Sequence, residues 1–395
     1  MKNIFSALEV CRIFLKLGLT SFGGPIAHLG YFREEFVNRR KWLAEKAFAD
    51  LVALCQFLPG PASSQAGIAI GTMRAGLWGG FAAWLGFTMP SAIALIIFGY
   101  GTGIFEKGAG WIHGLKVVAV AVVAQAVWNM AVNLCPDRSR RTMAILSALV
   151  VLLWHSSFSQ ISVIVVAGIA GWKFLRSDNS DTVSSSVPES SIKSHPGAIL
   201  ALIAFLGLLI VLPIFETLYP ESTLAVIASF YRAGSLVFGG GHVVLPLLQA
   251  EVVPPGWVTN DVFLAGYGAA QAVPGPLFTF AAYLGTVMLP QPRGWIGGII
   301  CLIAIYLPSF LLLMGAMPFW ETLRTRTGVQ SILKGVNAAV VGLLLAALYD
   351  PVWTGAILST KDLALALTCF ALLTLWKIPP WLIVVFAAAA SFLIT

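Results

Sequence analysis

The chain has 395 residues, of which 58% are hydrophobic and only 10% charged, and its mean hydropathy is +0.88. So few charges cannot solvate the surface of a soluble protein of this length, so the composition excludes a globular domain in water and predicts an all-α integral membrane protein with the lipid bilayer as its solvent. The net charge of +7 is gathered in particular connections, which argues against a nucleic-acid partner, and five scattered cysteines without a Cys-x-x-Cys pair argue against a disulfide frame or a metal site.

In chain order, Met1 to Ile13 contains Glu9 and Arg12 and no small-residue cleavage site, so it reads as part of a retained helix and not as a signal peptide. The first apolar segment, Ile4 to Phe22, holds the cation Lys16 and ends in Ser21-Phe22-Gly23-Gly24-Pro25. A basic amphipathic helix is predicted over Tyr31 to Glu45, lying on the inner surface. From Ala47 a helix runs to Gln56, meets Pro59-Gly60-Pro61, and resumes toward Met73. Two prolines around a glycine remove backbone donors and forbid a continuous ladder, which predicts a broken or re-entrant helix. Leu77 to Tyr100 and Gly114 to Leu134 read as crossings, and Thr142 to Trp154 with Ser159 to Leu175 as a shorter pair. The polar stretch Ser177 to Ser194 reads as a flexible cytoplasmic linker. The predicted organisation is therefore a module over 1–176, a linker over 177–197 and a module over 198–395, the last opening with an extra span, Ile199 to Tyr219.

The second module repeats the first. Phe238-Gly239-Gly240-Gly241 follows Phe22-Gly23-Gly24-Pro25 at an offset of 216, shared by Gly18 with Gly234 and by Glu35 with Glu251. Gln271-Ala272-Val273-Pro274-Gly275-Pro276 follows Gln56-Phe57-Leu58-Pro59-Gly60-Pro61 at 215, and Pro308-Ser309 follows Pro90-Ser91 at 218. Lys16 and Arg232 each stand six residues before the repeated phenylalanine. The loops differ in charge: Arg33, Arg39, Arg40, Lys41 and Lys46 fill the connection between the motifs of the first module, whereas 247–262 has Glu251 and Asp261 and no Lys or Arg. Lys107 against Glu106, the arginines at 138–141 against Asp350, and the basic loop of Arg324, Arg326 and Lys334 follow the same alternation, with Arg293 and Lys361 running against it. Because Lys and Arg stay cytoplasmic, the two repeats should be inverted in the membrane, with their broken helices meeting at a pseudo-twofold interface.

Inverted repeats with paired broken helices point to a secondary transporter with its site near the midplane. Consecutive glycines let backbone N–H groups converge on an anion, so Phe22, Gly23, Gly24, Phe238, Gly239 and Gly240 are predicted to line the site, with Gln56 and Gln271 able to reach a substrate oxygen or to cap the break. Lys16 and Arg232 would each bury a cation at ~2.5–3.5 kcal/mol, which a shared dianion would offset. Read alone, Lys16 could snorkel to the surface and the glycines could serve close packing; matched motifs in both modules favour the binding role. His28 and His242 lack counterparts and read as satisfied helix-end residues.

These motifs, with Ile26-Ala27-His28 and Leu245-Pro246, resemble the chromate ion transporter family in its long form of two fused domains. The resemblance implies a multi-pass protein of the bacterial inner membrane that exports chromate on the proton motive force and confers resistance. It also implies that the glycines, the prolines and the first-helix cations belong to the transport path, with no cofactor. Gly241 in place of Pro25 and Val244 in place of His28 set the two halves apart. Sulfate or another tetrahedral oxyanion is the alternative substrate. A membrane oxyanion reductase is the alternative of another class, for which the separated histidines and cysteines offer no redox cluster. A homodimer is compatible with the sequence.

Overall fold

The structure, a computed structural model, describes residues 2–102, 110–154, 156–175, 196–220, 222–320 and 326–394, and among these all regular structure is helical. The linker over 177–195 and the loop charges Glu106, Lys107, Arg176 and Arg324 lie outside the described residues. Among the described residues five helical stretches are long and apolar enough to cross a membrane: 62–101, which is interrupted at Ala75 and Gly76, 110–134, 196–218, 294–319 and 327–356.

Helix α1, Lys2–Thr20, lies along the chain that follows the first break, and Gly18 is the contact: a Cβ there would sit 2.7 Å from the Phe87 carbonyl oxygen. Helix α2, Gly24–Arg33, starts at the second residue of the glycine pair, not at Tyr31 as predicted. The reason is local, since Pro25 in the first turn has its φ preset for a helix and gives up an N–H that would have had no partner there. The helix continues as a wider turn over Glu34–Arg39, where Glu35 pairs with Arg40 at 2.6 Å and with Arg39 at 3.3 Å. Partial burial pushes the Glu35 carboxyl up, but hydrogen bonds and charge from Arg40 and Arg39 outweigh it and hold it below its ordinary value.

Helix α3, Glu45–Phe57, is 13 residues long, or about 20 Å, too short to cross a hydrocarbon core of about 30 Å. It stops where the prolines predict. Helix α4, Ala62–Thr102, is interrupted at Ala75 and Gly76, the latter at φ +66°. Gly71 there lies against the backbone of Gly79, and Gly80 against Thr72, so the 62–74 and 77–102 arms fold back as a hairpin. Next come α5 (Gly110–Leu134), α6 (Arg138–Leu153), α7 (Ser157–Phe174) and α8 (Pro196–Leu218). Phe205 and Leu212 of α8 pack on Tyr231 and Leu312 in a small cluster apart from the main core.

The second repeat supplies α9 (Thr223–Ser235), α10 (Val244–Val252), α11 (Asn260–Ala270), α12 (Phe280–Val287), α13 (Gly294–Ala316), α14 (Thr327–Ala347), α15 (Thr360–Thr374) and α16 (Pro380–Ile394). Its contacts copy those of the first. Gly234 lies against the Ile305 carbonyl as Gly18 does against Phe87, and Gly285 lies against Gly297 as Gly71 does against Gly79.

Between the repeats the contacts are reciprocal. Gly60 N donates to Val237 O at 2.7 Å, and its counterpart Gly275 N donates to Ser21 O, the counterpart of Val237, at 2.9 Å. Gly60 faces Ser309, while Gly275 faces Ser91. Each proline-glycine-proline turn is thus tied to the glycine turn of the other repeat, as in a self-complementary interface. The long helices are exchanged too: α5 packs on α15 and α16, and α14 packs on α6 and α7. Small residues permit this, with Gly114 against Ala387, Gly335 against Ala167 and Gly342 against Ala144. Both modules therefore share one hydrophobic core.

Candidate functional site

The broken elements converge on a cavity of about 1050 Å³. Its wall is made by Phe22, Gly23, Gly24 and Pro25 from the first repeat, Gly239, Gly240 and Gly241 from the second, and Gln56 and Gly60 from the first break. The glycines are required by the backbone: Gly23 has φ +102°, Gly24 +78°, Gly239 +73° and Gly240 +156°, a region closed to most side chains. No side chain caps the start of α2 at Gly23. The first peptide N–H groups of that helix therefore stand at the cavity wall with the partial positive charge of a helix start. Phe22 and Trp381, both in the wall, pack with ring centroids 5.9 Å apart.

The structure does not gather every predicted residue here. Phe238 and Gln271 do not line the cavity; Phe238 packs on the core, and the Gln271 side chain lies beside the Tyr267 hydroxyl. Pro59, Pro61, Pro274, Gly275 and Pro276 shape the breaks without lining the cavity.

The predicted pair of cations facing one another across a gap is corrected. Lys16 is exposed on α1, and neither it nor Arg232 lines the cavity. The Arg232 guanidinium is held by Glu216 at 2.7 and 3.1 Å and by Glu251, which accepts from Nε at 2.9 Å and, more closely, from Nη2. Two carboxylates already neutralise this charge, so it needs no dissolved anion. Glu216 comes from the extra span, which has no counterpart in the first repeat, and Glu35 is engaged by Arg39 and Arg40 instead of Lys16. The repeated cation thus has different surroundings in the two halves.

Other polar groups in the wall were not singled out from sequence. Lys377, in the turn between α15 and α16, lines the cavity with a left-handed backbone, φ +53°. Gln125, Asn129 and Asn133 line it from α5, and Asn337 from α14. The three α5 amides recur every four residues and so share one face of a largely apolar helix, a periodicity that was available in the sequence. Gln125 Nε2 donates to Leu373 O at 3.0 Å, and Asn133 Nδ2 to Asn129 O at 2.8 Å. His242 also lines the cavity, and its Nδ1 meets the Tyr267 hydroxyl at 2.9 Å. His28 is satisfied as expected, by Ser63 Oγ at 3.3 Å and Ser21 O at 3.2 Å.

A second cavity, about 150 Å³, is lined by Gln160, Pro246, Gln249, Leu343, Ala347 and Asp350 among others. Gly114 against Ala387 and Gly335 against Ala167 make Gly114 and Gly335 counterparts, an offset of 221, at which Ala346 answers Gln125 and Asp350 answers Asn129. Equivalent faces of the two repeats therefore border a wide cavity in one case and a narrow one in the other.

A helical protein of two interlocked repeats, with membrane-length apolar helices and a large cavity between its broken helices, belongs to the class of multi-pass membrane transporters and not of enzymes. The sequence profile described as "Chromate transporter" matches residues 8–172 and 224–392, one region per repeat. The chain belongs to the chromate transporter family, in its long two-repeat form. It is 29% identical over 351 residues to an uncharacterised transporter of Methanocaldococcus jannaschii, covering 87% of this chain and 84% of that protein. A chromate transport protein of Pseudomonas aeruginosa is 27% identical over 345 residues, 85% of this chain and 79% of the other. A probable chromate transport protein of Synechococcus elongatus is 26% identical over 406 residues, 98% and 95% of the two chains. No solved structure matches.

Proposed function

We propose that the protein is a secondary transporter of the bacterial inner membrane that carries chromate out of the cytoplasm through the large cavity and so confers resistance. The observation that carries this reading is the convergence of both glycine turns on one cavity, with the reciprocal Gly60–Val237 and Gly275–Ser21 hydrogen bonds joining the breaks. That reciprocity supports two inverted modules, 1–176 and 198–395, related by a pseudo-twofold axis, each contributing half-length helices to the midplane. In this reading the oxyanion is met by the N–H groups at Gly23 and Gly24 and around Gly239 and Gly240, by the Gln56 amide, and by the amides of α5. Lys377 supplies the positive charge first assigned to Lys16 and Arg232.

The cavity rim at Tyr31, Asn133 and Leu134 adjoins Arg33 and the arginines at 138–141, so by the rule for Lys and Arg it opens to the cytoplasm. The narrow cavity is then its closed outer counterpart, and exchange between the two widths is the alternating-access step. An interior-negative potential favours the exit of each negative charge by ~2.3 kcal/mol per 100 mV, so the electrical part of the proton motive force drives a dianion outward with about twice that.

Efflux of labelled chromate and sulfate from vesicles of known orientation tests the reading. Chromate efflux that grows with an imposed inside-negative potential is expected. Absence of chromate flux would refute it, and faster sulfate flux would reassign the substrate.

A further inference from the structure

Beside Gly60, on residues that do not line the large cavity, five polar side-chain oxygens are buried. Ser64, Gln65, Thr88, Tyr306 and Ser309 are each 2% exposed or less. Among the described residues, Ser64 Oγ, Gln65 Oε1, Thr88 Oγ1, the Tyr306 hydroxyl and Ser309 Oγ have no hydrogen-bond partner outside this cluster. The Tyr306 hydroxyl lies beside Ser64 and Thr88. Ser309 is one turn further along the same face of α13, and a Cβ built at Gly60 would be 2.5 Å from its Oγ and 2.7 Å from Gln65 Nε2. Gln65 Nε2 itself is used, donating to Pro59 O at 2.7 Å, which turns the amide oxygen into the free end. Thr88 and Tyr306 are counterparts at the offset of 218, as are Ser91 and Ser309, so the cluster lies where the two repeats meet their own equivalents.

Buried polar atoms are almost always satisfied, and five oxygens with no partner outside their own cluster, Gln65 Oε1 and Ser309 Oγ with none inside it either, call for a guest. Close approach of Gly60 to Ser309 requires that guest to be small, which excludes a tetrahedral oxyanion at this point. Its chemistry follows from the donor set, which is uncharged and made only of oxygen, with one atom, Gln65 Oε1, that can only accept. A single water makes two to four hydrogen bonds and donates no more than two. A hard monovalent cation takes several oxygens at once, and neutral hydroxyls and carbonyls beside a broken helix suit one.

We propose that this cluster is a binding site for a sodium-sized monovalent cation, formed by Ser64, Gln65, Thr88, Tyr306 and Ser309 and separated from the large cavity by the Gly60 turn. It is a second ligand site, and its existence does not depend on which anion the cavity carries. Gly60 belongs to both the cavity wall and the cluster, so the occupancy of one is felt at the other.

The test is binding to the full-length protein in detergent or nanodiscs, read without transport. At constant ionic strength, replacing choline chloride by NaCl should raise Tm saturably by a few degrees, as any ligand of the folded state does. Labelled sodium should bind the wild-type protein directly. Thr88→Val and Ser309→Ala should keep the Tm seen in choline and lose at least tenfold in sodium affinity. Equal Tm in sodium and choline with no sodium bound would overturn the proposal, leaving the oxygens to a water cluster. So would sodium binding unchanged in both variants, and equal stabilisation by potassium would overturn the assignment by size. If one variant fails to fold, the other and the direct binding measurement decide.

Discussion

Lys377 is exposed in the cavity wall, so its field is screened by water there. Two unit charges about 4 Å apart in water interact by about 1 kcal/mol, and a dianion doubles that. Lys377→Gln should therefore raise the KM for chromate efflux between tenfold and a hundredfold with little change in kcat, while Lys377→Arg keeps most of the affinity. An unchanged KM in the glutamine variant would remove Lys377 from the anion site. Lys16→Gln, by contrast, should leave KM within about twofold, because Lys16 stands outside the cavity. At this scale the sequence reveals backbone demands better than side-chain partners. Paired glycines before Pro25 announce the turns because only glycine tolerates the positive φ found there. The fate of Arg232 depends on Glu216, sixteen residues away on another helix, and no local pattern carries that contact. Lys377 was hidden for a similar reason, since a lone lysine after an apolar run reads as a membrane-end anchor until α16 folds back beside α5.

Two helical hairpins hold the breaks in place, one per repeat, and both close through glycine against glycine. A side chain at Gly71 would meet the backbone of Gly79, and one at Gly285 the backbone of Gly297. Backbone cannot yield as a flexible side chain does, so Gly71→Val and Gly285→Val should each destabilise by about 3 kcal/mol or more. Gly207→Val, in the middle of α8 with nothing within 4 Å, is the control and should have no effect on Tm. Comparable stability of all three variants would show that the hairpins are not built on these contacts. Both proline breaks were legible because proline at these positions has one structural meaning. Helix α2 starts seven residues before the predicted Tyr31, because Pro25 sets the first turn while the charges that mark an amphipathic helix come only after Tyr31. The polar face of α5 is faint in the sequence because three amides hardly alter the hydropathy of a 25-residue helix.

Duplication was legible across the whole chain from constant offsets, but the interlocking was not, since offsets relate equivalent residues and say nothing of which copy they pack against. The consequence is physical. Without the second repeat, α5 would lose α15 and α16 from its flank and the Gly60 turn would lose Val237; without the first, α14 would lose α6 and α7. Lipid cannot replace these contacts, because the lost partners include backbone hydrogen bonds and close helix crossings through Gly114 and Gly335. Residues 1–176 and 198–395 expressed separately should each be degraded, and expressed together should restore a folded, transporting complex. Sidedness adds a second constraint on the same experiment: reporters at Arg40 and at Val253 should report opposite faces of the membrane in the intact chain and again in the reassembled halves. Stable accumulation of one half alone would show that the modules fold as separate units, and reporters on one face would abolish the inversion on which the shared site depends.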